Sequence, residues 1–286
     1  MADLTPLGPS PRVAVVIPFY RAGRWVADAL ASVFRQIYRP DVVIVVDDAT
    51  PGDERSALET LGDGVTVLTH SRNLGVSTAR QTGTEATDAD LIAYLDADDW
   101  WEADYLDAAV ATMRRHPEAP GCYAAVVKRF PDGSTAHYPA KPAMLDVREA
   151  LVRSHALTTG LLVRRDALMA IGGWRREPEI VEDWDLVIRL LDRFGPIPLV
   201  PEPAVNYRVG DTGGLNSQHW RAIRRWRRTV RLDREVLERH FGPGAARRRL
   251  AQAFADRHDR AGGWRGAAYA CMASLLGPPL REAFPG

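Results

Sequence analysis

The sequence predicts an α/β fold with a mainly parallel central sheet flanked by helices, and three observations carry that prediction. Short apolar runs without polar alternation recur at 13–17, 42–46, 65–68 and 91–95. Helix-like segments near 24–36, 53–61 and 77–87 separate them. Acids stand directly after two of the runs, as Asp47-Asp48 and as Asp96-Ala97-Asp98-Asp99. Runs of β-branched residues without alternation fit strands covered on both faces, and strand-helix alternation fits parallel crossover units.

The elements follow in order. Val13 to Ile17 is stopped by Pro18, Val42 to Val46 by Asp47-Asp48, and Leu91 to Leu95 by Asp96. Val65 to Leu68 is the third strand. Thr50-Pro51-Gly52-Asp53 offers a capping hydroxyl, a proline for the first helical position and an acid three residues on. Ser77 is placed to cap the helix that carries Arg80. The middle of the chain is less regular, with strands expected near 122–127 and 159–164 and a turn at Pro131-Asp132-Gly133. A helix follows over 183–194, with Trp184, Val187, Ile188 and Leu191 on one face and Gly195-Pro196 at its end. From residue 216 the pattern is helical. Ile223, Trp226, Val230 and Leu237 form an apolar stripe, and Arg221, Arg224, Arg225, Arg228 and Arg231 lie on another side. The expected organisation is one α/β domain in two halves, over 12–105 and 106–215, followed by a helical extension over 216–286.

Composition narrows the function. The 286 residues are 46% hydrophobic and 26% charged, with a formal net charge of zero, so no global field recruits nucleic acid. The cysteines, Cys122 and Cys271, lack ligand spacing, as do His70, His116, His137 and His155. No apolar leader stands at 1–11 and no run approaches the roughly 20 apolar residues of a membrane span. The expected location is therefore cytoplasmic. The arginine-rich C-terminal helix reads first as a solvated face. Its second reading is peripheral contact with anionic lipid, with Trp220 and Trp226 at the interface.

In an open parallel sheet, ligands sit beyond the carboxyl ends of the strands. Two acid clusters there face one crevice. Clustered carboxylates repel, and a hard divalent cation bridging them to phosphate oxygens removes the repulsion. Magnesium or manganese held with a nucleotide diphosphate is the natural reading. A further pair, Glu182-Asp183, opens the later helix, where the N-terminal dipole favours an ionised carboxylate suited to general-base work.

Six segments in one order resemble glycosyltransferase family 2, a group with the GT-A fold. They are Val13-Ala-Val-Val-Ile-Pro-Phe-Tyr20, Val43-Ile-Val-Val-Asp-Asp48, Asn73-Leu-Gly-Val-Ser-Thr-Ala-Arg80, Tyr94-Leu-Asp-Ala-Asp-Asp99, Gly172-Gly-Trp174 and Glu182-Asp-Trp-Asp-Leu186. The resemblance covers about 12–210 and implies roles. Pro18 and Tyr20 would line the base and ribose pocket, and Asp48 would read the nucleobase. Asn73, Gly75 and Arg80 would close around the nucleotide. Asp96, Ala97 and Asp98 match the DxD motif, with Asp96 and Asp98 toward the metal and Asp98 the direct ligand. Asp183 matches the general base, Glu182 its neighbour, and Gly173, Trp174 and Trp184 the acceptor side. The implied reaction is inverting transfer from a nucleotide sugar, UDP-linked by the Asp48 match, with a dTDP-sugar as the other donor presenting the same base edge.

Two departures stand out. Ala49-Thr50 replaces the common Gly-Ser, and Tyr207-Arg208-Val209-Gly210 lacks the histidine of Tyr-Arg-x-His, while Gly213-Gly214 offers a lid hinge. Three other readings remain at this point. A nucleotidyltransferase would need a better phosphate loop than Arg21-Ala22-Gly23-Arg24. A catalytically silent sugar-nucleotide or membrane-surface binding module would not need the acids intact. A glycoside hydrolase would use paired carboxylates without a nucleotide pocket.

Overall fold

Strand β1 (Val13–Phe19) is buried along almost its whole length, as a run of apolar residues with no polar face requires. It pairs in parallel with β2 (Val42–Asp47) on one side and β4 (Leu91–Tyr94) on the other. β3 (Thr66–Thr69) adds to β2, also in parallel. The computed structural model describes residues 4–59, 61–62, 64–137, 141–177, 181–210 and 219–261.

The remaining strands make the sheet mixed. They are β5 (Trp100–Trp101), β6 (Gly121–Arg129), β7 (Thr135–His137), β8 (Met144–Leu145), β9 (Leu161–Arg164) and β10 (Ile197–Arg208). The order is β3-β2-β1-β4-β9-β6-β10-β5, with β7 on β6 and β8 on β10. β9 runs antiparallel to both β4 and β6, β10 is parallel to β6, and β5 is antiparallel to β10. The α/β fold with its Rossmann-like parallel half is as expected. β3 is the exception to two-faced burial: Val67 is exposed because the strand lies at the end of the sheet.

Helices α1 (Val26–Phe34), α2 (Val76–Glu85) and α3 (Tyr105–Arg115) cover the sheet. At Gly83 of α2, an added Cβ would lie 2.5 Å from Val16 Cγ1, so glycine permits the close approach of helix and strand. The segment expected as a helix over 53–61 is instead a 3-10 run, Gly52–Leu58, led by Pro51. Thr50 does not cap it. Its hydroxyl accepts the Arg21 N–H, and its own N–H donates to Asp47. Nor does Ser77 cap α2, which starts one residue earlier from Gly75 at φ +92°.

The chain divides into two compact units. The first comprises Met1–Asp146, His155–Arg176 and Arg189–Asp211, and contains the sheet. Its core joins β1, β2, β4, β6 and β9 to α1 and α3 through residues such as Ile17, Leu30, Val45, Leu106 and Leu162. The second comprises Val147–Ser154, Glu177–Ile188 and Thr212–Gly286. It holds α4 (Val147–Val152), the N-terminal part of α6 (Glu182–Phe194), and the C-terminal helices α7 (His219–Leu232), α8 (Arg234–Phe241) and α9 (Ala245–Ala261). The short helix α5 (Arg165–Ala170) belongs to the first unit. No helix among the described residues is long and apolar enough to cross a membrane. Cys271 and the expected hinge at Gly213-Gly214 lie outside the described residues.

Candidate functional site

The C-terminal ends of β1, β2 and β4 gather the expected residues of the first unit. Parallel pairing sets this alignment: Phe19 is in register with Asp47, the Asp48 N–H donates to the Phe19 carbonyl at 2.9 Å, and the Leu95 N–H donates to the Val16 carbonyl at 3.2 Å. Two non-glycine residues at these ends adopt the left-handed region, Arg21 at φ +52° and Ala49 at φ +59°. Such backbone is disfavoured for residues with a Cβ and concentrates where a turn must aim functional groups. Ala49 holds that conformation with a Cβ in place, where glycine would meet no steric cost.

The two adjacent acids of β2 do different work. Asp47 is wholly buried, accepts the Thr50 N–H at 2.9 Å and faces Arg55 Nε at 3.2 Å, so it shapes the turn. Asp48 is also buried. Its Oδ1 accepts from the Leu74 N–H at 2.8 Å and from His70 Nδ1 at 2.7 Å, and its Oδ2 accepts the Gly75 N–H at 2.7 Å. The carboxylate thus holds the loop carrying Asn73 and Gly75 in place at the start of α2. In the sequence His70 shows no metal-ligand spacing. No periodicity marks it, and its partners come from elements far apart in the chain.

Arg80, buried on α2, reaches Asp96 Oδ1 at 2.6 Å and lies 5.0 Å over the Trp174 ring. Trp174 meets Tyr94 edge-on with centroids 5.1 Å apart, and the Trp174 backbone N–H donates to Gln81 Oε1 at 2.8 Å. Gly173 makes this approach feasible: at φ +68°, a Cβ there would lie 2.1 Å from Gln81 Oε1. Arg80, Asp96, Gly173 and Trp174 are therefore one packed cluster. Pro18 lies within β1, Tyr20 is exposed at its end, and Ala97 is buried between the two acids of the motif.

Asp98 projects to the surface, and Asp99 is buried. Loss of hydration beside the strand ends, followed by the charge of Asp96, raises Asp98 above the usual carboxylate range. The same causes, with burial first and then Asp98 and Asp96, push Asp99 well above it. Arg208, at the end of β10, ties this segment down. Its N–H donates to Asp99 Oδ1 at 2.8 Å, its Nε donates to the Asp98 carbonyl at 2.9 Å, and its guanidinium lies 3.9 Å over Trp25 and 4.7 Å over Trp100.

These residues fit a hard cation of the magnesium or manganese type. Asp98 makes no ion pair among the described residues, and Asp96 presents a second carboxylate whose Oδ1 is engaged by Arg80. A cation would offset the charge of Asp96, which after loss of hydration is the second cause of the rise at Asp98. Among the described residues no three His, Cys, Asp or Glu side chains converge into a cage. Magnesium-type ions are commonly held by one or two carboxylates, with waters and substrate phosphates completing the shell.

The other expected residues, Glu182, Asp183 and Trp184, belong to the second unit. They form the first turn of α6, where Asp183 Oδ1 accepts the Trp184 N–H at 2.8 Å and the Trp184 indole donates to the Ala150 carbonyl at 2.6 Å.

A parallel layer that presents carboxylates and a loop-to-helix turn at its C-terminal rim has the layout of a nucleotide-binding α/β domain. Residues 14–172 match the model of glycosyl transferase family 2, and the chain belongs to that family. It is 32% identical over 218 residues to a pre-mycofactocin glycosyltransferase of Mycobacterium tuberculosis, an alignment covering 68% of this chain and 43% of that protein. It is also similar in structure to Staphylococcus aureus TarS 1-349 in complex with UDP-GlcNAc, with a TM-score of 0.65 and 15% identity over 88% of this chain and 73% of the other. A mannosyltransferase of Pyrobaculum calidifontis in complex with GDP-Man and Mn2+ superposes with a TM-score of 0.60 and 21% identity over 96% and 83% of the two chains. These two likenesses establish a shared GT-A fold. The matched segments span less than half the length of the curated relatives named first in similarity.

Proposed function

We propose that the chain is an inverting, metal-dependent glycosyltransferase that moves a sugar from a UDP-sugar to an acceptor hydroxyl. The observation that carries this reading is the cluster at the strand ends, where Arg80 pairs with Asp96, two residues from Asp98, beside the loop held by Asp48. Family membership supports the reaction class. The Asp48 match favours uracil, and a dTDP-sugar presents the same edge.

In this reading Pro18 and Tyr20 border the base and ribose, and Asn73 and Gly75 close over them from the start of α2. Asp98, with Asp96 beside it, would hold Mn2+ or Mg2+. When bound, that ion offsets charge on the leaving diphosphate. Arg80 orients Asp96. Asp183 takes the proton from the acceptor hydroxyl, whose oxygen attacks the anomeric carbon opposite the leaving nucleotide. Gly173, Trp174 and Trp184 border the acceptor.

Asp183→Asn is the test. It removes the base without removing a nucleotide contact, so transfer falls by at least about a hundredfold while UDP affinity holds. Unaltered turnover would remove Asp183 from this role. Loss of UDP binding alone would point to a positional defect.

In the second reading of the C-terminal helix, Trp226 packs on Trp184 with centroids 5.0 Å apart and the Trp220 side chain lies outside the described residues, so charge carries that reading. Arg224, Arg227, Arg228 and Arg231 are exposed along one face of α7, which contains no acid. That face suits peripheral electrostatic contact with anionic lipid. Sedimentation with phosphatidylglycerol vesicles at low salt, lost with neutral vesicles or high salt, is the expected result.

A further inference from the structure

The C-terminal helices grip the first turn of α6. The Val181 N–H, just before that turn, donates to Thr229 Oγ1 of α7 at 2.8 Å, and the same hydroxyl donates to the Arg225 carbonyl at 2.9 Å. Arg225 reaches Glu182 Oε2 at 2.6 Å, with each side chain 13% exposed. Trp184 packs on Trp226, and the buried Arg249 of α9 lies over both rings, 4.8 Å from the first and 4.4 Å from the second.

These contacts flank one residue. The opening N–H groups of a helix have no partner within it, and helix ends fray unless something outside supplies one. Here α7 supplies an acceptor for Val181 and a cation for Glu182, and α7 and α9 together clamp Trp184. Asp183 stands between the two fixed neighbours. Pairing Glu182 with a guanidinium also offsets the repulsion between adjacent carboxylates in the turn.

We propose that Arg225 is a positioning residue for Asp183, acting through Glu182, so that the C-terminal helices are part of the catalytic apparatus. The proposal rests on Asp183 being the base. It assigns work to an arginine that the sequence places in a basic run with no distinguishing mark.

The test uses the full chain with Arg225→Met, Arg225→Lys, Glu182→Gln, the Arg225→Met/Glu182→Gln double variant and Asp183→Asn. Two readouts are taken. One is UDP release from UDP-glucose and UDP-GlcNAc with manganese, separated into kcat and KM. The other is amide hydrogen exchange, which needs no substrate. With Arg225→Met, exchange over 181–185 is expected to rise about tenfold, with the β1 and β4 peptides unchanged. The kcat is expected to fall roughly tenfold to a hundredfold at constant donor KM. Arg225→Lys is expected to recover most of both. The double variant is expected to match the worse single variant, because the pair acts as one.

Unchanged exchange over 181–185 in Arg225→Met overturns the proposal. So does additive loss in the double variant. If Asp183→Asn turns over normally, the base assignment falls, whatever Arg225 does. If Asp183→Asn is inactive and Arg225→Met behaves as the unaltered protein, the positioning role alone falls.

Discussion

His70 Nδ1 lies 2.7 Å from Asp48 Oδ1, and Nε2 of the same ring lies 3.0 Å from Thr82 Oγ1. An ionised carboxylate only accepts, so Nδ1–H donates to it and, in the neutral ring, Nε2 accepts from the threonine. The ring therefore links the end of β2 to α2. Removing it leaves Asp48 with the Leu74 and Gly75 N–H groups. Removing Asp48 strands all three donors. His70→Ala is expected to cost about 1 kcal/mol and Asp48→Ala about 3 kcal/mol in urea unfolding. Both are expected to weaken UDP binding by titration calorimetry, Asp48→Ala more strongly. Equal stability of Asp48→Ala and the unaltered chain would contradict the account of this loop.

Ala49 at φ +59° carries a Cβ in left-handed backbone. Ala49→Gly is expected to stabilise the fold by roughly 0.5–1 kcal/mol, because relief of strain outweighs the greater freedom glycine gives the unfolded chain. The urea midpoint measures it. A destabilised variant would mean that the alanine side chain is required there.

Lys141 donates to the Ala124 carbonyl at 2.7 Å, with its ammonium 5.5 Å from the Tyr123 ring. Burial lowers its pKa from 10.5 to about 7. The folded value is below the unfolded one, so between about pH 7 and 10.5 the unfolded chain binds more protons and stability rises with pH. The gain is complete above the unfolded value and is lost as pH falls through about 7. Lys141→Met is expected to flatten this rise in urea midpoints taken across the window. An unchanged slope would place the amine in water.

Much of the parallel half was legible because its signals are local. A strand buried on both faces reads as an unbroken apolar run, and the acids that end β2 and β4 mark where such strands meet solvent. The helix over 183–194 was legible from the spacing of Trp184, Val187, Ile188 and Leu191, all buried in the structure. β10 was not. Pro198, Pro201 and Pro203 disguise it, and its pairing with β6 absorbs the latter two through register shifts between Val200 and Val205. The site shows the same division. Asp48, Arg80, Asp96 and Asp98 announced themselves by position after strands and in family motifs. His70 and Gln81 did not, because each acts through partners supplied by other elements, and only folding brings those together; Arg208 stood in a family-like segment, but its bonds to Asp98 and Asp99 were equally hidden.

Calorimetric titration of the full chain with UDP, in manganese and then in EDTA, tests the central claim most directly. Binding in manganese that is lost in EDTA, and is sharply weakened by Asp98→Asn in manganese, is the expected result. Equal UDP affinity in both conditions, or no binding in either, would contradict a metal-bridged nucleotide site at the ends of β1, β2 and β4.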